Sequence, residues 1–232
     1  RLRESMTLSL VTIHPFDPWG SKIGGIETAI RTMLQHAPAD CVLSLVGVTE
    51  NPCERLPGRW IEMDYKGREI HFLPIFPVEQ PNRRTAIPLT LRFPLQMRSH
   101  RLDFMESIVL YHRIEPLVFT TIPAHASALC VHGDPREIVG PSSEVRWRFL
   151  PGLYRWLEAR AVRKAQRLFV VSRAGVEYFH HTYPQKHGEV SFLSTFYRDE
   201  IFFPISSSER IKIRNRFLHQ RSLPGDSRLV LF

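Results

Sequence analysis

An alternation in the apolar pattern constrains this chain more than any single motif. Leu8–Ile13 is a compact apolar run of strand length. A loop from His14 to Ile23 leads to the glycine pair Gly24-Gly25. Ile26, Ala29, Ile30, Met33, Leu34 and Ala37 then recur at the spacing of one helix face, and Pro38 ends the pattern. Cys41–Val48 is a second apolar run. Short continuous apolar runs suit strands buried on both faces. A strand, glycine turn, helix and strand in that order predict a parallel pair joined by a right-handed crossover.

The alternation continues. Arg59–Met63 and Glu69–Ile75 flank the turn-like Tyr65-Lys-Gly-Arg68 and read as a hairpin or two short strands. Pro77, Pro81, Pro88 and Pro94 predict an irregular, exposed stretch, with a helix after it over about Leu95 to Met105. Strands are expected at Ser107–Ile114, Ser127–Gly133, Leu168–Ser172 and Val190–Leu193. Between them Leu153, Trp156, Leu157, Ala161 and Ala165 form a helical stripe, and a short helix is expected over Ala174–Thr182. Six or seven strands alternating with helices predict an α/β fold: a doubly wound, Rossmann-like, mostly parallel sheet with helices on both faces. We expect residues 1–204 to form this domain. In residues 205–232 we expect a linker helix over Ser207–His219 and then an apolar strand, Arg228–Phe232, that needs partners from a continuing chain.

Composition narrows the function classes. No apolar run reaches the roughly 18 residues that span a bilayer. The segment Arg1–Met6 lacks the apolar core of a signal peptide, so a cytoplasmic location is expected. Cys41, Cys53 and Cys130 form no CxxC pair, and no HExxH spacing occurs among the eleven histidines, so no metal is expected. The net charge of +8 favours anionic partners. Arg83, Arg84, Arg92, Arg98 and Arg101 lie in one stretch without an acid, interleaved with Ile87, Leu89, Leu91, Phe93, Leu95 and Met97. That stretch is either a solvated face or a contact for an anionic membrane surface. Nucleic acid is not expected, because the aromatic-basic interleaving of RNA-recognition modules is missing.

Three places can carry chemistry. In a doubly wound sheet, ligands bind outside the carboxyl ends of the strands. The loop with Gly20, Gly24 and Gly25 lies there, ahead of a helix whose free N–H groups suit an anion. The glycines serve either a phosphate approach or a tight turn. His132 ends a strand at the same edge and can either bind a substrate hydroxyl or satisfy backbone. His112 and Arg113 end the preceding strand, and alternation predicts that only one of them faces the crevice.

In order and spacing, these segments resemble the family-4 glycosyltransferases of GT-B fold. The likeness rests on Gly24-Gly25-Ile26-Glu27, on Val131-His132-Gly133, on the run from Leu157-Glu158 to Ser172, on Thr195–Pro204, and on the closing Leu223–Phe232. Thr195, Phe196 and Arg198 stand where the family carries asparagine, glycine and aspartate. The resemblance implies an acceptor-side half of an enzyme that transfers a sugar, with retention and without metal or other cofactor, from a nucleotide-sugar donor to a hydroxyl of a saccharide or lipid-linked acceptor. It implies that the donor is held mostly by a C-terminal domain beyond this chain. On that resemblance Gly24 and Gly25 face the donor phosphates and His132 lies near the reacting hydroxyl. Asp17, Glu27, His112, Arg113 and Arg136 are assigned to the acceptor side. A non-enzymatic module binding anions or nucleic acid is the alternative, and another GT-B enzyme a third reading.

Overall fold

The computed structural model describes residues 8–80, 86–141, 143, 146–194 and 204–227. The chain divides into two compact units, Arg1–Phe196 and Tyr197–Phe232.

The first unit is built on eight strands: β1 (Leu8–Ile13), β2 (Cys41–Thr49), β3 (Ile61–Asp64), β4 (Glu69–Pro77), β5 (Phe104–Tyr111), β6 (Ala124–Val131), β7 (Arg167–Val170) and β8 (Val190–Phe192). Their order in the sheet is β3-β4-β2-β1-β5-β6-β7-β8. All neighbours pair parallel except β3 with β4, whose antiparallel hairpin caps one edge. From β1 the chain first winds towards β4 and later towards β8. The strand order therefore reverses at the β1–β5 boundary, which opens a crevice at the carboxyl ends of those two strands.

Alternation within the strands divides the core in two. Leu43 and Leu45 of β2 face one side, with Phe16, Ile70 and Phe72, under helix α1 (Gly25–His36), which supplies Ile30 and Leu34. Val46 and Val48 face the other side with Val11, Ile13, Val109, Leu129 and Val131. There they meet α2 (Leu89–Met97), α3 (Ile114–Phe119) and α5 (Pro151–Lys164). Each fully buried Leu, Ile or Phe contributes on the order of 1.5–3 kcal/mol, so both faces of the sheet are committed to packing. A four-residue turn of helix, α4 (Pro135–Ile138), and α6 (Arg173–Thr182) complete the unit.

Two expectations from the proline-rich region change. The helix there begins at Leu89, not Leu95, and Pro94 lies inside it. A proline in mid-helix costs about 3 kcal/mol. Phe93 and Met97, four residues apart and both buried, outweigh that cost and fix the helix where the packing needs it. The next strand starts at Phe104, which pairs with Ala124, and ends at Tyr111 rather than Ile114. Ile114–Phe119 is a helix instead. Pro116 does not break it, because it falls in the first turn, where its missing N–H would have no partner.

The second unit carries α7 (Ser207–Gln220), begun by a capping box in which Ser206 and Glu209 each bond the other's backbone N–H. The expected strand Arg228–Phe232, the turn around Thr195, Phe196, Arg198 and Asp199, and Arg83 and Arg84 lie outside the described residues. No described helix is long and apolar enough to cross a membrane.

Candidate functional site

Three neighbouring strands each place a histidine at the carboxyl edge. His14 follows β1, His112 follows β5 and His132 follows β6. His14 is fully buried, and its Nε2 lies 3.2 Å from Glu27 Oε1. Lys22 Nζ lies 2.7 Å from the same oxygen. Burial pushes the Glu27 carboxyl up, but the His14 hydrogen bond and the Lys22 charge outweigh it and hold the group well below its usual range. Burial drives His14 down to about 4, against the pull of Glu27. At neutral pH His14 therefore donates its Nε2 proton to the carboxylate, leaving Nδ1 as a lone pair. That Nδ1 is buried without a partner.

His112 and His132 form the second half of the cluster. His112 Nδ1 is 2.7 Å from His132 Nε2, and the rings stack with centroids 5.0 Å apart. Burial lowers both, His132 to about 4 and His112 well below its ordinary value. Two neutral imidazoles share one proton between the facing nitrogens. His112 Nε2, on the far side, is buried without a partner. The His14 and His112 ring centroids are 6.1 Å apart. Together they form an uncharged row of proton donors and acceptors with one fixed anion, Glu27, at its end.

A cavity of about 220 Å³ opens beside the row. His112, His132 and Arg113 give it polar groups, and Ile138, Trp147 and Tyr154 give it an apolar wall. Arg113 Nε and Nη2 each lie 3.2 Å from a Glu115 oxygen, and Trp147 Nε1 donates to the same carboxylate. Burial works against the Arg113 charge, but Glu115 more than offsets it. The sequence expectation that only one of His112 and Arg113 would face the crevice is corrected. The strand ends at Tyr111, so the alternation rule no longer governs either residue, and both line the cavity.

The other expected residues divide. Glu27 is the third residue of α1, and its carboxylate folds back towards Gly24, where an added Cβ would lie 2.3 Å from Oε2. Glu27 thus already complements the positive end of the helix. Gly25 is different: an added Cβ would meet nothing within 4 Å. Asp17 is fully buried and accepts from Trp19 N, Glu50 N, Thr49 Oγ1 and Arg55 Nε. Four protein donors on one carboxylate assign Asp17 to holding the loop. Arg136 is more than half exposed, pairs with Asp134 at 2.5 Å and does not line the cavity.

Sequence reasoning passed over His14, Lys22, Glu115, Trp147 and Tyr154. His14 was open to the rule that singled out His132, since both directly follow an apolar strand. It also passed over Arg31, which reaches from α1 to the carbonyls of Pro18, Gly20 and Lys22 and clamps the loop. His112, Cys130 and His132 bring three metal-ligating atoms within 4.8 Å of one another. Burial pushes the Cys130 thiol up to about 12, and the two imidazole nitrogens are already bonded to each other. That arrangement favours a proton-sharing pair beside a core thiol.

No family model and no curated protein matches the chain. Among solved structures it is similar to Anabaena Alr3699/HepE in complex with UDP-glucose, at 12% identity over 90% of this chain and 50% of that one, with a TM-score of 0.46. The same protein in complex with UDP gives 13% identity at the same coverages and TM-score. A ugt transferase from Siraitia grosvenorii in complex with UDP gives 12% identity over 91% of this chain and 55% of that one, with a TM-score of 0.41. The chain spans about half the length of these proteins.

Proposed function

We propose that this chain is the acceptor-side half of a GT-B type glycosyltransferase, using a nucleoside diphosphate sugar to glycosylate a hydroxyl. One observation carries the reading: His14, His112 and His132 converge with Glu27 at the strand-order reversal, beside a cavity with an apolar wall. A crevice at that place is where doubly wound sheets bind ligands. The donor and acceptor roles in this reading come from the sequence resemblance to family-4 glycosyltransferases.

In this reading the acceptor lies in the cavity with its hydroxyl at His132. The imidazole is neutral at working pH, so it can accept a hydrogen bond from the hydroxyl. His112 fixes its orientation and can take up or return a proton through the shared contact. Arg113, held in place by Glu115, presents positive charge to the departing diphosphate or to acceptor oxygens. Gly25, with open space above its Cα, marks where a donor phosphate can approach the backbone. The donor's nucleotide belongs in this proposal to a second domain outside these residues. Domain closure would exclude water and protect the donor from hydrolysis. Retention at the anomeric carbon and a role in polysaccharide or glycolipid synthesis complete the proposal.

The test is sugar transfer by the native protein from UDP-, GDP- and ADP-sugars, with His132→Ala as control. Loss of general acid–base assistance should lower kcat by about 100-fold or more. Full activity in His132→Ala would remove the histidine row from the mechanism. Binding that ignores the sugar and collapses with salt would replace the enzyme by an anion-binding module.

A further inference from the structure

The outer face of α5 is unusual for a surface. Phe149, Leu150, Leu153 and Trp156 are all exposed, Phe149 at 69% and Trp156 at 51%. Leu153, Trp156, Arg160 and Arg163 follow one another at spacings of three and four, so they form one stripe along the helix. The opposite face, with Tyr154, Leu157 and Ala161, is buried in the core. The stripe therefore leaves about half of Leu153 and of Trp156 open to solvent. It changes character along its length, apolar and aromatic at the amino end and cationic at the carboxyl end.

The charge on this segment is one-sided. From Arg146 to Lys164 there are five arginines and one lysine against a single acid, Glu158. Glu158 is buried and accepts from Tyr178 Oη at 2.7 Å and Tyr183 Oη at 2.8 Å, and the surface cation that its charge acts on is Arg155, which lies outside the stripe. Two of the arginines lie over the exposed rings: Arg148 Cζ is 4.6 Å from the Phe149 ring and Arg160 Cζ is 5.7 Å from that of Trp156. The guanidinium groups thus sit beside the exposed aromatic rings.

We propose that this face of α5 docks on an anionic lipid bilayer, with Phe149, Leu150, Leu153 and Trp156 entering the headgroup–acyl boundary and Arg148, Arg160 and Arg163 bound to lipid phosphates. Aromatic side chains with an apolar body favour that boundary. Cations near an anionic leaflet are each stabilised by its charge. The aliphatic tips of Leu150 and Leu153 have no role on a nucleic acid, which offers phosphates and stacked bases. The arginine-rich run between 83 and 101, suggested by the sequence for this role, is a poorer surface. Among its described residues Ile87 and Leu95 are exposed, but Phe93 and Met97 point into the core, so the exposed apolar side chains are fewer than the four at Phe149, Leu150, Leu153 and Trp156. The bilayer would lie on the far side of α5 from Tyr154, which lines the cavity.

Co-sedimentation of the native protein with phosphatidylcholine vesicles, with and without phosphatidylglycerol, tests this. Binding is expected only with phosphatidylglycerol and should weaken as salt is raised. The exposed pairs Phe149→Ser with Trp156→Ser, and Arg160→Glu with Arg163→Glu, should each lower the vesicle partition coefficient about tenfold or more while leaving the thermal midpoint unchanged. Lipids brominated in the acyl chain should quench part of the tryptophan fluorescence. Trp156→Phe should keep vesicle binding and lose that quenching. No binding to phosphatidylglycerol vesicles, or equal binding by both paired variants, would overturn the proposal. So would quenching that survives in Trp156→Phe. If the variants instead abolish self-association in sedimentation velocity without any vesicle binding, the face covers a second copy and the bilayer is excluded.

Discussion

His112 Nδ1 and His132 Nε2 face each other at 2.7 Å, so the two rings hold one proton between them and each fixes the tautomer of the other. If His112 donates, the second nitrogen of His132 carries a proton; if His132 donates, that nitrogen is a lone pair. A proton can therefore pass along the pair with both rings left neutral only when one proton enters at one outer nitrogen as another leaves at the other. Cys130, two residues before His132 and at the end of β6, is buried, and that burial pushes its thiol up to about 12.

The pair sets a pH dependence. Burial holds His132 down to about 4, below its unfolded value near 6.5. Between these values the unfolded chain binds the proton and the folded chain does not, so stability falls as pH drops from 6.5 towards 4. His14, also at about 4 when folded, adds to the loss over the same window. Urea unfolding across that range should show it, and His132→Gln should flatten the slope. In the folded protein, imidazole proton resonances of His132 should titrate near pH 4. A midpoint near 6.5 would mean that the ring is hydrated and free.

Glu27 is the anion on which the row depends. It holds the His14 tautomer and pairs with Lys22, with only 6% of its surface exposed. Breaking a buried ion pair leaves an uncompensated charge and costs about 3 kcal/mol. Glu27→Ala should therefore destabilise by about that amount in denaturant unfolding. A variant more stable than the parent would give the opposite answer: the carboxylate is then held in place for a ligand, at the expense of the fold.

Gly24 and Gly25 are adjacent in sequence but differ in what surrounds them. An added Cβ at Gly24 would lie 2.3 Å from Glu27 Oε2, so Gly24→Ala must displace the carboxylate from the helix end. At Gly25 the space is open and the backbone is helical, so Gly25→Ala should leave stability unchanged or raise it by up to about 1 kcal/mol. If a donor phosphate approaches this backbone, Gly25→Ala should raise the donor KM several-fold without loss of stability. An unchanged KM would place the phosphate elsewhere.

The alternating sheet was legible in the sequence because its central strands, β2 above all, are buried on both faces and read as solid apolar runs. β1, β2 and β7 needed nothing else. The hairpin of β3 and β4 was legible from its turn, where Lys66 and Gly67 adopt positive φ. Helix α2 was not, because the packing of Phe93 and Met97 overrides a proline that local rules treat as a stop. In the site, His132 and His112 followed from position at strand ends. Their contact depends on β5 and β6 being neighbours and in register, with Tyr111 opposite Leu129, which no local pattern encodes. Glu27 folding back onto His14 is likewise a matter of where the loop lands. Asp17 was assigned to the acceptor side on the family resemblance, and only the tertiary structure reveals the four donors around it.

Asp17 gives the sharpest separation of scaffold from ligand contact. Its carboxylate ties the loop after β1 to Thr49 and Glu50 at the end of β2 and to the guanidinium of Arg55. Gly20 lies against the same group, since an added Cβ there would fall 2.9 Å from Asp17 Cβ. Asp17→Ala would orphan a buried arginine and two backbone N–H groups at once. A cost of about 3 kcal/mol is expected, read as a lower urea midpoint. Asp17→Asn keeps the shape and two acceptor lone pairs but loses the charge opposite Arg55, so it should fall between the parent and the alanine variant. Saturating acceptor should not restore either variant. If Asp17→Asn folds with parental stability and raises the acceptor KM instead, the carboxylate serves the substrate and the loop is held by Arg31 alone.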